Sequence, residues 1–302
     1  MADVISATKS CFVSLISTPR TCGSYYITAE LQNYRSIKPS ELILRPNGAL
    51  YHLNLLPGQV AETIITVGDL ERVRAVSDRF DKVELKVEAR ECVTHTGELD
   101  GKRLTVISTG IGTDNIDIVF NELDALFNID LNRRAVKDQL TRLDFVRLGT
   151  SGAFQPDIPL NSFVLSAAAL ATDGLLPFYF HGAEPNEAAI SLSEYLEDGG
   201  VQLPVPILIV RPDLPPAIVA SDLVRGVTMT ASGFYAPQGR SLRLPSGLSP
   251  ELLSRLRAWR HDALRLTNIE METAGIYGLA AALGHRSASI SALLDNREEG
   301  TF

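Results

Sequence analysis

Cysteine is scarce in this sequence: the 302 residues contain only three, Cys11, Cys22 and Cys92. Three cysteines at such irregular spacing exclude a disulfide framework and a cysteine-based zinc site. We therefore expect no bound metal. A chain without disulfides fits a reducing compartment, and we expect the protein in the cytoplasm.

Long apolar runs are missing as well. No run approaches the roughly 18 residues that a membrane-spanning helix needs. The longest runs, around residues 205–210 and 274–283, predict a buried strand and a buried helix. A membrane is therefore not an expected partner.

Positive charge is in the minority, with 28 Lys and Arg residues against 36 Asp and Glu residues and a net charge of −8. A duplex-binding protein usually carries a basic face, so nucleic acid is not an expected partner. An arginine that binds an anion must therefore act locally, within an otherwise acidic protein.

Acidic residues are rare in the first 40 positions, where only Asp3 and Glu30 occur. This segment is rich in Ser, Thr and Tyr and has no steady hydrophobic period. We predict that residues 1–45 form a poorly ordered extension. A transit peptide, which is also poor in acids, is the alternative. Residues 46–302 then form the folded domain.

Short apolar runs alternate with helical patterns over the rest of the chain. Strands are predicted at residues 63–67, 104–108, 145–148, 163–170, 205–210, 226–230 and 288–294, with helices after the first two. This alternation is typical of a single α/β domain around a mixed or mostly parallel sheet. Glycine-bearing turns follow three strands, at Gly68, Gly110 and Gly149, and sites in such folds gather at strand carboxyl ends.

Two arginines lie beside these turns. Arg147 lies inside an apolar strand, just before Gly149, and Arg72 lies shortly after Gly68. The planar, permanently charged guanidinium suits phosphate, so an arginine in an apolar strand needs an anionic partner. Arg72 by itself also fits a solvated helix face. The P-loop and dinucleotide-binding spacings are both absent, so these turns are not nucleotide-binding loops of either kind.

Residues 268–275 contain two carboxylates, Glu270 and Glu272, which do not share a helix face at this spacing. One interpretation places both in the first turn of a helix, where the helix dipole favours acids. The other has one carboxylate accept hydrogen bonds from both hydroxyls of a sugar diol. The residues alone leave both interpretations open.

The segment from Phe234 to Arg240 follows the strand predicted at residues 226–230. An aromatic side chain there can stack on a flat ring. The amide of Gln238 offers both donors and an acceptor to the edge of a heterocycle. A plain surface loop is the alternative.

Seven motifs stand in this chain in the order typical of the nucleoside phosphorylases with the hexameric-type α/β fold. Taken together they resemble the uridine phosphorylases within that family, and the similarity runs from Tyr51 to Phe302. The motifs are Tyr51-His52-Leu53-Asn54-Leu55, Val67-Gly68-Asp69 with Glu71-Arg72-Val73, Ser108-Thr109-Gly110-Ile111-Gly112, Arg147-Leu148-Gly149-Thr150-Ser151-Gly152-Ala153, Phe234-Tyr235 with Gln238 and Arg240, Glu270-Met271-Glu272, and Asn296-Arg297. The resemblance implies a single domain with three layers, α/β/α, around a central mixed sheet.

The resemblance also implies a phosphate site. Its members are Gly68, Arg72, Arg147 and Thr150, with Arg90 reaching in from a neighbouring subunit.

The implied ribose site consists of Thr150, Met271 and Glu272, with His52 of the neighbour at the 5′-hydroxyl. Since both His52 and Arg90 act across an interface, the resemblance implies a homo-oligomer, a dimer or a hexamer, with shared active sites.

The implied base site consists of Phe234, Gln238 and Arg240, and the Gln-x-Arg pair is the pyrimidine signature of the family. Purine-specific relatives carry an Asp that acts on the purine ring. This chain has Asn296 at that place in the motif, with Asp295 one position earlier.

The implied reaction is the phosphorolysis of uridine, and of deoxyuridine or thymidine, to uracil and α-D-ribose 1-phosphate. It is a pentosyl transfer in pyrimidine salvage and nucleoside catabolism. The catalytic group would comprise Arg72, Arg147, Glu272, Gln238 and Arg240, which hold the phosphate, orient the sugar and stabilise the departing base. The alternatives are a purine-specific phosphorylase or nucleosidase of the same fold and a non-catalytic nucleoside-binding or storage protein.

No cofactor is implied, because inorganic phosphate is a co-substrate; a monovalent cation near Glu91 stays open. The chain departs from the family pattern at Leu70, where proline is usual, and at Pro237 and Gly239 in the base loop. It ends at Phe302, short of the final helix that the family generally has. We therefore expect the domain to lack that helix.

Overall fold

The computed structural model describes residues 36–180, 184–219 and 223–296. In chain order its elements are β1 Thr63–Val67, α1 Leu70–Ser77, β2 Lys82–Ala89, β3 Cys92–Leu99, β4 Lys102–Ser108, α2 Thr113–Asn128, β5 Ile129–Asp130, β6 Ala135–Val136, β7 Asp144–Ala153, β8 Phe163–Thr172, α3 Glu187–Asp198, β9 Leu208–Val210, α4 Pro216–Val219, β10 Val224–Ala231, α5 Pro250–Ala258, β11 Arg260–His261, β12 Leu264–Glu270, α6 Thr273–Ala282 and β13 Arg286–Asn296. Two short 3₁₀ turns lie at Leu176–Phe178 and Ala236–Gln238.

Within the described ranges, 11 strands form one sheet in the order β11-β12-β10-β8-β13-β7-β1-β4-β3-β2, with β9 on β8. The strands around β1 are parallel: β1 pairs with β4 and β7, and β7 pairs with β13. The β2–β3–β4 meander is antiparallel. The sheet is therefore mixed, as predicted.

Helices cover both faces of this sheet because neighbouring residues of a strand point to opposite sides. In β1, Ile64 packs into the main core with α2 and α6, whereas Ile65 packs with Val73 of α1. The result is the three-layer α/β/α arrangement that the resemblance implied.

One pairing bends the sheet into a ring beside the site. Strand β12 is parallel to β10 on one side and also pairs antiparallel with β7, through Asn268 opposite Ala153 and Ile269 opposite Gly152. The strands β12, β10, β8, β13 and β7 thus close on one another. This closure brings the end of β12, where Glu270 lies, next to β7.

The predicted elements are largely found, with three kinds of difference. The turn predicted at Gly149 is wrong, because β7 continues through Gly149 to Ala153. The strand expected at residues 205–210 is confined to Leu208–Val210, since Pro204 and Pro206 cannot donate to a ladder. The elements that were not predicted are strands β2, β3, β5, β6, β11 and β12 and helices α3, α4 and α5.

Residues 36–45, assigned to the N-terminal extension, lie against the domain. Leu42 is buried in the main core, and the amide of Ile37 donates to the carbonyl of Arg134. Residues 1–35, the larger part of the predicted extension, lie outside the described residues. Residues 297–302, which precede the position of the family's final helix, also lie outside them.

Among the described residues, no helix has both the length and the apolar character required to cross a membrane.

Candidate active site

A buried arginine lies at the centre of the candidate site. Arg147 is in β7, its side chain 7% exposed, with Nη2 2.6 Å from Oε2 of Glu272 and 3.0 Å from Oε2 of Glu270. Its Nη1 donates to Oγ of Ser291 on the adjacent strand β13. An arginine in an apolar strand requires an anionic partner, and here two carboxylates of the same chain supply it.

The charge on Arg147 is secured by these carboxylates. Burial alone would lower the pKa of Arg147, but the charges of Glu270 and Glu272 outweigh that effect and raise the pKa above its ordinary value. Gly149 makes room for the guanidinium: a Cβ at this position would lie 1.8 Å from Nη1 of Arg147. The glycine in the Arg-Leu-Gly motif therefore allows the guanidinium to lie along its own strand.

Glu272 joins two helix starts to Arg147. It is the N-cap residue of α6, and its Oε1 accepts from the backbone amide of Gly112 at the start of α2, at 2.7 Å. Burial is the main cause that raises the pKa of Glu272, Arg147 opposes it, and Glu270 adds to it. The carboxylate therefore lies between one cation, two helix N-termini and a second acid.

Glu270 has a different role from Glu272. It ends β12, and its carboxylate accepts from the backbone amides of Glu272 and Thr273 at 3.0–3.1 Å and from the hydroxyl of Thr230 at 2.7 Å. These bonds satisfy amides at the start of α6, which have no partner within the helix. The interpretation that placed both acids inside the first helical turn is therefore wrong: the chain turns between them.

Arg72 approaches the same region from α1. It is half-buried, and its Nη1 donates to the carbonyl of Leu148 in β7 at 3.2 Å, so it is not a solvated helix residue. Burial lowers the pKa of Arg72, and the nearby charge of Arg147 lowers it further, against Asp69 and Glu272. Two arginines thus approach one region, at the carboxyl end of β1 and beside the middle of β7.

The turn between β1 and α1 aims Arg72. Asp69 caps α1, its side chain accepting from the amide of Glu71 at 2.8 Å, and Gly68 lies between this cap and the end of β1. Leu70, which stands where the family usually has proline, is the first residue of the helix. The cap fixes the turn without that proline.

Thr150 and Met271 are close in sequence to the residues that surround Arg147. Thr150 lies in β7 beyond Gly149, and Met271 lies between the two carboxylates. Both side chains are half-buried.

The base loop forms a second cluster, built around Arg240. Its Nη1 donates to Oε1 of Gln238 at 2.5 Å and to the carbonyl of Phe234 at 2.8 Å. Its Nη2 lies 3.0 Å from Oδ2 of Asp295 on β13. The Cζ of Arg240 is 3.8 Å from the centre of the Phe234 ring, so in this structure the guanidinium covers one face of the ring proposed to stack on a base.

The two clusters lie along one pair of strands. Arg147 in β7 contacts Ser291 in β13, and further along the same pair Asp295 packs against Gly152, where a Cβ would be 2.7 Å from its Oδ1. The partners of Ser291 and Asp295 on β7, Gly149 and Gly152, are three residues apart, about 10 Å in an extended strand, because the register shifts by one residue between Leu293 and Asp295. This separation suits a ligand with an anionic end, a sugar and a base.

Residues 62–301 match the sequence profile of the phosphorylase superfamily. The chain belongs to this family. A uridine phosphorylase of Thermococcus kodakarensis is 30% identical over 261 residues, which cover 84% of this chain and 80% of the relative. A DeoD-type purine nucleoside phosphorylase of Colwellia psychrerythraea is 25% identical over 251 residues, covering 82% of this chain and 88% of the relative.

A solved structure agrees with this assignment. The Trypanosoma brucei nucleoside phosphorylase, described as showing uridine phosphorylase activity, superposes with a TM-score of 0.75 at 26% identity, covering 86% of this chain and 93% of that one. The family and the fold that the motifs implied are therefore confirmed. The relatives include both uridine and purine enzymes, so the family is established at the level of nucleoside phosphorylases.

Two of the predicted site residues, His52 and Arg90, do not contact Arg147. Nδ1 of His52 is 2.6 Å from Oε1 of Glu122 in α2, and Arg90, exposed in the turn after β2, has its Cζ 5.1 Å from the centre of the Tyr51 ring. In the described part of the chain, neither residue has a hydrogen bond or ion pair to Arg147. Their assignment to a neighbour's site stays a prediction.

Sequence reasoning missed three contributors to this site. Ser291 carries no motif signal, because it lies in an ordinary apolar strand. Gly112 belongs to a quoted motif, but its contact with Glu272 spans 160 positions. Asp295 stood beside the Asn-Arg motif and was not assigned to the base site, although its charge in an apolar run was a usable signal.

Within the described ranges, no group of three or more His, Cys, Asp or Glu side chains is placed to hold a metal ion.

Proposed function

We propose that this nucleoside phosphorylase is a uridine phosphorylase, which converts uridine and phosphate to uracil and α-D-ribose 1-phosphate in pyrimidine salvage in the cytoplasm. The observation that carries the proposal is the Gln238–Arg240 pair, which contacts Asp295 of β13, the strand whose Ser291 contacts Arg147 of the Arg147–Glu272 pair. The uridine phosphorylases among its relatives support the same substrate.

Phosphate binds between Arg72 and Arg147 in this proposal. Both guanidinium groups lie near the carboxyl end of β1, and their mutual repulsion is relieved when a dianion lies between them. Gly68 and Thr150 add their backbone and hydroxyl groups to the same region. The phosphate is thereby held on one face of C1′ for attack along the line of the breaking bond.

The sugar binds at Glu272 and Met271. A carboxylate accepts from two hydroxyls at once, so Glu272 can hold the 2′- and 3′-hydroxyls of ribose. As the bond between C1′ and N1 of the base breaks, positive charge develops on the sugar, and a preorganised carboxylate stabilises it.

The base receives the electron pair of the broken bond at N1 and leaves as an anion. Arg240 and the amide of Gln238 donate to the edge of the uracil ring and stabilise this charge. A bond forms between a phosphate oxygen and C1′ as the bond to N1 breaks, and the released base takes up a proton from water.

The active sites are shared between subunits in this proposal. His52 and Arg90 both contact the Tyr51 ring, and in this proposal they reach the site of a second copy. A homodimer is the smallest assembly that completes the site.

Base release tests the proposal. Uridine, thymidine, cytidine and inosine are each incubated with the enzyme, with and without phosphate, and the free base is followed by ultraviolet absorbance. Uracil released from uridine only with phosphate supports the proposal. No release from uridine by a folded sample contradicts it.

A purine nucleoside phosphorylase is the second candidate, and Asp295 is the observation that favours it. Its carboxyl group lies in the base cluster, one position before Asn296, and purine-specific relatives carry an Asp that acts on the purine ring. Phosphate-dependent release of hypoxanthine from inosine, without release of uracil from uridine, identifies this alternative.

A further inference from the structure

A β-bulge lies at the end of β13, beside the base cluster. The register between β13 and β7 shifts between Leu293, which is opposite Ser151, and Asp295, which is opposite Gly152. Leu294 is therefore an extra residue. Bulges next to active sites commonly redirect a side chain.

The redirected side chain is Asp295, and the surrounding residues accommodate it. Its carboxylate is 16% exposed and pairs with Arg240, whose side chain is 20% exposed. On the other strand Gly152 leaves the space that Oδ1 of Asp295 fills. The bulge, the facing glycine and the partly buried ion pair together hold the Asp295 side chain in one position.

The contacts of Arg240 divide between its two terminal nitrogens. Nη1 contacts Gln238 and the carbonyl of Phe234, both within the base loop, and Nη2 contacts Asp295 on the sheet. The base loop returns on itself through Gly239, whose φ of +77° is in the left-handed region. Asp295 is thus the contact that ties Arg240 to the rigid sheet.

We propose that Asp295 is a positioning residue of the base site: it holds Nη2 of Arg240 while Nη1 exchanges its contact with Gln238 for an oxygen of the base. This inference rests on the proposed function and names its substrate class. An arginine held in this way presents a donor, which suits the 4-oxo group of uracil and opposes the 4-amino group of cytosine. Asp295 therefore favours uracil nucleosides over cytidine without touching the base.

The test compares Asp295→Ala and Asp295→Asn with the wild-type enzyme by titration calorimetry, with uracil and inorganic phosphate as separate ligands. We expect uracil affinity to fall about 10-fold in Asp295→Ala, the loss typical of a hydrogen bond to a charged group. Asp295→Asn keeps an acceptor at the same place and should lose less. Phosphate affinity should be unchanged in both, and the uridine-to-cytidine ratio of kcat/KM should fall.

Asp157→Asn is the matched control. Asp157 pairs with Arg265 through two bonds of 2.8–2.9 Å, outside the base cluster, so its loss should leave uracil affinity unchanged. Gly152→Ala is an independent perturbation, since its methyl group displaces Asp295 and should also weaken uracil binding. If thermal unfolding shows that Asp295→Ala does not fold, Asp295→Asn and Gly152→Ala carry the test.

The outcomes separate this inference from the proposed function. If the wild-type enzyme neither binds uracil nor cleaves uridine, the proposed function is wrong, and the variants are not needed to show it. Active wild-type enzyme with unchanged uracil affinity in the variants overturns the role of Asp295. Equal losses of uracil and phosphate affinity also overturn it, because a merely structural residue would affect both.

Discussion

Arg147 and Glu272, which lie 125 positions apart in the chain, form a buried ion pair with a 2.6 Å contact. These are the two residues proposed to hold the phosphate and the ribose. Arg147 and Glu272 thus contact each other in the protein. In the proposal, Arg147 binds the phosphate and Glu272 binds the ribose. Phosphate bound at Arg147 would release Glu272 for the sugar, so the pair couples the two binding events.

Replacement of Arg147 by alanine should abolish phosphorolysis. The loss of one preorganised donor typically lowers the rate on the order of 10²–10³-fold. It also leaves Glu270 and Glu272 without their cation, so we expect lower stability, by about 3–5 kcal/mol for a broken buried pair. Steady-state kinetics and urea unfolding measure the two effects.

Arg286→Ala is the control for that experiment. Arg286 pairs with Asp144 at the start of the same two strands, three residues before Arg147, and has no contact with Glu272, so its loss should lower stability while kcat/KM stays near the wild-type value. Near-normal turnover in Arg147→Ala would remove the basis of the phosphate site.

Arg72→Ala should raise the KM for phosphate by about 10-fold or more, as expected when a charged hydrogen-bond donor to an anion is lost. Arg74 offers a matched control two positions along α1. Its side chain is 68% exposed and contacts Glu88 at the surface, so Arg74→Ala should leave the KM unchanged. Equal effects of the two substitutions would indicate general electrostatics and not a site at Arg72.

The stability of the wild-type enzyme relative to Glu272→Gln should depend on pH. Burial raises the pKa of Glu272 above its ordinary value of 4.5, so the folded state binds the proton more tightly than the unfolded state. This stabilisation is complete below the unfolded pKa and is lost as the pH rises through the folded pKa. Glutamine does not titrate. As the pH rises, the free energy of unfolding of the wild type should therefore fall relative to that of the variant.

Urea unfolding of both proteins at a series of pH values from acidic to neutral measures this difference. A relative stability of the wild type that increases with pH would show that Arg147 outweighs burial and that the pKa of Glu272 is depressed.

Subunit mixing tests the shared site. Arg147→Ala and Arg90→Ala should each be inactive as pure oligomers, because every site lacks one of the two arginines. After joint refolding, mixed oligomers contain sites with both arginines, and activity should return. Wild-type enzyme that is fully active as a monomer in light scattering would contradict the shared site.

The sequence predicted Arg147 and its strand well, because a charged residue in the run Phe145-Val146-Arg147-Leu148 violates the apolar pattern and needs a reason. Its partners were harder to predict. Glu270 and Glu272 meet Arg147 only because β12 closes onto β7, and a contact across more than 100 positions leaves no local signal.

The missed elements have local physical causes. Strand β2 alternates Lys82, Glu84, Lys86 and Glu88 with apolar residues at the edge of the sheet, so its composition is similar to that of a solvated segment. Strand β12 ends at Glu270, directly before α6, and the chain turns within two residues. A pattern that short does not separate a strand end from a helix start.

The base site could be predicted only in part. Gln238 and Arg240 were assigned to the base through the family resemblance, whereas the contact between Arg240 and Asp295 depends on a bulge in β13 that hydrophobic periodicity does not reveal. The stacking of Arg240 on Phe234 likewise follows from the turn at Gly239.

The most direct test of the account is the stoichiometry of the reaction with uridine. Phosphorus NMR follows the conversion of inorganic phosphate to ribose 1-phosphate while absorbance follows free uracil in the same sample. The account predicts one uracil for each phosphate consumed and no uracil without phosphate. Uracil released in the absence of phosphate, or a folded enzyme that leaves uridine intact, would contradict it.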